Sequence, residues 1–82
     1  MKKFCADVFV GYEDGTISKH PFVLEAESED KIDLDDVKNF CDYAFYTGEV
    51  LKIVVGNELT DDEADEILED DVIRERYTEM YG

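Results

Sequence analysis

The first 26 residues carry the feature that most restricts the fold. Phe4, Ala6, Val8 and Val10 alternate with Cys5, Asp7 and Phe9, the two-residue period of a strand with one buried face. Glu13-Asp14-Gly15-Thr16 follows, and a second apolar run starts at Ile17. Asp-Gly between two such runs signals a hairpin, because both central residues of a type I′ turn take positive φ. Strands are therefore expected over 4–12 and 17–26. Pro21 has no N–H for a ladder, which sends the second strand to a sheet edge or a bulge.

Glu27 to Lys31 reads as an acidic loop. Asp33 is the expected N-cap of a first helix, with Asp35 and Asp36 in its first turn, where they favour the helix dipole. Leu34, Val37, Phe40, Cys41, Ala44 and Phe45 then recur along one helical face. Thr47-Gly48 is expected to end that helix, with Gly48 as a left-handed cap. Val50 to Val55 is a short apolar run, expected as a buried third strand closed by Gly56-Asn57.

Thr60-Asp61-Asp62-Glu63 is a capping box, in which hydroxyl and carboxylate each satisfy an otherwise orphaned backbone donor. It predicts a helix from Asp61, with Ala64, Ile67 and Leu68 as its apolar stripe. Continued unbroken, that helix turns Ile73, Tyr77 and Met80 nearly to the opposite side. Either the chain breaks near Asp70-Asp71 and a second short helix repacks on the core, or the tail offers a separate apolar surface to a partner. The break is preferred. The outcome is an α+β domain over residues 1–82 in the order β-β-α-β-α-α, a three-stranded sheet with helices packed on it. A parallel pairing through the first helix would require a right-handed crossover; the strand order stays open.

The charge sets the functional question. The chain has 82 residues, 44% of them apolar, with 23 acids against 8 bases, a net of −15. That is enough apolar material for one core, so the charge does not imply disorder. Residues 1–24 balance at three acids and three bases, and residues 37–57 at two and two. Residues 25–36 carry seven acids and one lysine, and residues 58–82 eleven acids and two arginines. The excess is thus confined to two segments, net −6 and −9. Solubility alone demands no such segregation.

Catalytic chemistry finds little support. His20, the single histidine, lies beside Pro21 and next to no acid or nucleophile motif. Phosphate loop, zinc spacing and His-Glu-x-x-His are all absent. Paired carboxylates abound, but a general acid needs a desolvated pocket, and these sit on helix faces and loops. The Asn57–Glu69 stretch departs from a calcium loop, since Gly56 precedes the acids and the capping box commits Thr60 onward to helix. Neither enzyme, cofactor nor metal site is expected. Cys5 and Cys41 are expected as buried, reduced thiols, with a single bridge as the alternative. No apolar stretch approaches the length of a membrane span, and Asp7 interrupts any signal-like run after Met1-Lys2-Lys3-Phe4. The expected location is the cytosol.

Two surfaces remain as candidates. On the acidic helix, Asp62, Asp65, Glu66 and Glu69 lie opposite Ala64, Ile67 and Leu68, related by three- and four-residue steps. No lysine or arginine falls between Lys52 and Arg74. Such a row opposes helix formation by about a few tenths of a kcal/mol per pair. On the first helix, Asp35, Asn39, Asp42, Tyr43 and Tyr46 share the polar side, and tyrosine is a favoured interface anchor.

In size, acidity, hairpin-plus-helices plan and the run Asp61-Asp62-Glu63-Ala64-Asp65-Glu66, the chain resembles phage anti-defence proteins, particularly anti-CRISPR proteins that act as DNA mimics. Those proteins share no motif, so no residue roles carry across. The resemblance implies an acidic inhibitor occupying the nucleic-acid groove of a CRISPR effector or other defence protein, in the host cytosol if phage-encoded. The expected partner is thus a protein with a basic surface, with no direct binding to nucleic acid or membrane. The alternative is a small regulatory subunit whose tyrosines and apolar tail form the interface.

Overall fold

The computed structural model describes residues 1–44 and 48–81, the side chains of Tyr43 and Ala44 excepted. Strands β1 (Lys2–Gly11) and β2 (Ile17–Ala26) form the hairpin, followed by a single 3₁₀ turn at Glu29–Lys31 and helix α1 (Leu34–Ala44). Strand β3 (Glu49–Leu59) and helices α2 (Asp61–Ile67) and α3 (Asp71–Tyr81) complete the described chain. The sheet order is β2-β1-β3, and both pairings are antiparallel. An α+β fold follows, and no parallel crossover is used.

The hairpin turn differs from type I′. Gly15 alone among the described residues has positive φ, at 86°. Gly15 N–H donates to the Tyr12 carbonyl and Tyr12 N–H to the Thr16 carbonyl, both at 2.9 Å. This is a three-residue loop closed by one left-handed glycine. Asp14 sits where no positive φ is needed, and its carboxylate accepts from the Thr16 N–H and hydroxyl at 3.0 and 2.7 Å.

Phe4, Ala6, Val8 and Val10 are all buried, as are Phe22, Leu24 and Ala26 on the same side of β2. Val37 and Cys41 of α1 and Ile73 of α3 join that core, so the helices share one face of the sheet. The Phe22 and Phe40 rings pack at 6.4 Å between centroids. Asp33 caps α1, its carboxylate accepting from the Asp35 and Asp36 N–H groups at 3.1 and 3.2 Å. Leu34, assigned to the apolar face of this helix, is in fact exposed. It stands in the first turn, before the helix reaches the sheet.

Two expectations about the middle of the chain are corrected. The third strand is an edge strand, longer than expected, in which Val50 is buried, Ile53 and Val55 half-buried, and Leu51 and Val54 exposed. Gly56-Asn57 does not close it. A bulge between Phe4 and Ala6 sets one residue of β1 against both, and pairing continues to Lys3↔Leu59. Gly48, in turn, is no left-handed cap, since its φ is not positive. A Cβ there would lie 2.5 Å from Val10 Cγ1 and 2.9 Å from Tyr12 Cε1. Glycine is required by close approach to β1. Phe45, Tyr46 and Thr47 lie outside the described residues.

The chain breaks where the acid pair predicts. Asp70 caps α3, accepting from the Val72 and Ile73 N–H groups at 3.0 and 3.3 Å. The break lets Ile73 reach the core with Tyr77, Met80 and Tyr81 packed against it. The tail is therefore part of the fold, and no separate apolar surface arises from those residues.

Candidate functional site

The capping box fixes where the carboxylate row points. Thr60 Oγ1 accepts from the Glu63 N–H at 3.2 Å, and Glu63 Oε1 accepts from the Thr60 N–H at 3.0 Å. Ala64 is then fully buried, with Ile67 and Leu68 packed on the core. At about 100° per residue, Asp62, Asp65 and Glu66 must face the opposite side, and all three are exposed. Glu69 is exposed too, but it lies beyond α2, which ends at Ile67. Its N–H donates to the Glu66 carbonyl at 3.4 Å in the tight turn before α3. The row is three helical carboxylates continued by one on the turn, because the break that buries Ile73 also shortens the helix.

The surrounding acids are occupied. Asp61 pairs with Lys3 at 3.5 Å, Glu63 closes the capping box, Asp70 caps α3, and Asp71 pairs with Arg74. Among the described residues, Asp62, Asp65, Glu66 and Glu69 make no ion pair or side-chain hydrogen bond. They form a cluster of charge that the fold neither uses nor neutralises.

The α1 candidates separate. Asp35 is exposed at the start of the helix. Asp42 is half-buried, accepts the Val50 N–H at 3.1 Å and pairs with Lys38 at 3.8 Å. It ties the end of α1 to the start of β3, a structural task that stands beside its expected place on a partner surface. The sequence gives no hint of this, since the partner is a backbone group eight residues away. Tyr46 and the Tyr43 side chain lie outside the described residues.

Other chemistry is sparse. His20 Nε2 lies 3.3 Å from the Tyr12 hydroxyl. Cys5 and Cys41 are unbridged; Cys5 approaches Asn57 Oδ1 at 3.5 Å, while burial pushes the Cys41 thiol up to about 11. Among the described residues no group of three or more His, Cys, Asp or Glu is placed to hold a metal ion. No described helix is long and apolar enough to cross a membrane. Comparison with protein-family models, curated proteins and solved structures finds no match.

Proposed function

We propose that this protein is a non-catalytic inhibitor that presents Asp62, Asp65, Glu66 and Glu69 to the basic nucleic-acid groove of a partner, a CRISPR effector or another host defence protein, and so excludes DNA. The supporting observation is the contrast within one eleven-residue stretch, 61–71. Asp61, Glu63, Asp70 and Asp71 serve the fold, while these four stay exposed and unpaired. Neighbouring side chains at helical steps stand about 5–6 Å apart at Cβ, comparable, allowing for winding, with phosphates along one nucleic-acid strand. A groove built to bind phosphates responds to such a row through the same charge attraction. Asp35 stands exposed at the start of α1, and a net charge of −15 repels nucleic acid itself.

The test replaces all four with their amides, which keeps their size. Capture of a partner from host lysate should fall sharply, and the wild-type complex should weaken steeply between about 50 and 200 mM salt. The control set is Glu27, Glu29, Asp30 and Asp36, all exposed; Glu25 is left out because it lies against Tyr77 and Tyr81. Equal losses from both sets would reduce the reading to total charge. A salt-insensitive complex that survives the row's neutralisation, or micromolar binding of the protein to duplex DNA, would refute it.

A further inference from the structure

The face of the sheet turned away from the helices has no role in the reading above. Directly opposed residues in an antiparallel pair point to the same side. Cys5, Asp7, Phe9 and Gly11 of β1 therefore share this face with Ile17, Lys19 and Pro21 of β2 and with Lys52 and Val54 of β3. Leu51 belongs to it as well, since a Cβ on Gly11 would meet Leu51 Cδ1 at 3.1 Å. Ile17, Leu51 and Val54 are 64%, 49% and 46% exposed, half of the large apolar side chains that stand open to solvent among the described residues. The Lys52 ammonium lies over the Phe9 ring, 4.8 Å from its centroid.

We propose that this face is a self-association surface on which a second copy of the chain docks, sheet to sheet, with both helical layers turned outward. Charge selects the occupant. Lys19 and Lys52 are balanced on the open part of this face by Asp7 and Glu49, so the net charge of −15 lies elsewhere; Lys3 is paired with Asp61, and Glu25 lies against Tyr77 and Tyr81. A copy can approach here neutral to neutral, whereas any approach through the helices sets acid against acid. A basic partner is drawn to the helices instead, and an acidic one finds no net attraction here.

The pattern is also complementary under a two-fold rotation. An axis across the strands between Asp7 and Phe9 sets each Asp7 over the Lys19–Phe9–Lys52 row of the second copy. Ile17 and Leu51, which flank Gly11, stand at the open end of the face; at the other end Val23 is fully buried. Aligned sheets pack in this manner about 10 Å apart. About six residues on each of three strands remain open, roughly 250–300 Å² of flat area per copy, at about 3.3 Å per residue and 4.8 Å per strand. A standard stable interface buries about 800 Å² per partner, so the dimer is weak and depends on concentration.

Sedimentation of the full chain from micromolar to millimolar concentration, at low and high salt, tests this. A monomer–dimer equilibrium is expected that strengthens with salt, as screening weakens the repulsion between two −15 chains. That sign is opposite to the one expected for the carboxylate row and its partner, so the two readings fail separately. Ile17→Lys and Val54→Lys lie on opposite edge strands, and each should weaken the dimer about tenfold or more while the thermal midpoint stays put, since both side chains are exposed. A monomer at every concentration overturns the proposal. So does a dimer indifferent to both variants, or one lost only with Val54→Lys, which would place the contact along the β3 edge.

Discussion

Asp42 shows what a single carboxylate does for this fold. Its carboxylate is the acceptor for the Val50 N–H at 3.1 Å, and Val50 is almost wholly buried. Removing the acceptor leaves that donor without a partner beside the core, at about 1–3 kcal/mol for a buried donor. The Lys38 pair adds little, because an exposed i,i+4 pair contributes about 0.3–0.5 kcal/mol. Asp42→Ala should therefore cost about 1–3 kcal/mol, with the thermal midpoint falling by about 4–8 °C per kcal/mol for a domain of this size. Asp42→Asn keeps an acceptor oxygen and loses only the ion pair, so it should stay within about 0.5 kcal/mol of wild type. Thermal unfolding followed by circular dichroism measures both, and amide exchange at Val50 reports the local consequence. Equal stability of Asp42→Ala and wild type, or an Asn variant as damaged as the Ala variant, would refute the hydrogen bond as the reason for this residue.

Thr60→Ala should cost about 0.5–2 kcal/mol, while Thr60→Ser, which keeps the hydroxyl, stays near wild type; chemical denaturation that fails to distinguish the two would displace the start of α2 and with it the carboxylate row. Gly48→Ala should cost about 1–3 kcal/mol through overpacking against Val10 and the Gly11 carbonyl. Gly48→Asn should be worse still, whereas a left-handed cap would accept Asn readily, so the order of the two midpoints decides the point. The last prediction concerns alkaline pH. Burial raises the Cys41 thiol from 9.0 to about 11 and also raises Tyr77. The unfolded chain ionises first, so stability is complete below about pH 9 and falls as pH rises toward about 11. Urea midpoints that do not fall over that window, or a Cys41→Ala variant with an equally steep loss, would remove the thiol as the cause.

Local chemistry wrote much of this fold into the sequence. The alternation at Phe4, Ala6, Val8 and Val10 names the buried face of β1 because a strand repeats every two residues, whatever surrounds it. Asp33, Thr60 and Asp70 start three helices because each cap bonds to a backbone donor two or three residues on. The exposure of Asp62, Asp65 and Glu66 follows from the same local rule, once Ala64, Ile67 and Leu68 are turned inward. Tertiary structure decided the remainder, where the partner is distant in the chain. The antiparallel placement of β3 beside β1, the bulge that carries pairing past Gly56-Asn57, the contact that demands glycine at 48, and the use of Asp42 by the Val50 N–H are all settled by packing between elements. The open apolar face is of this kind. Ile17, Leu51 and Val54 come from two different strands, and only the register on either side of β1 sets them on one surface.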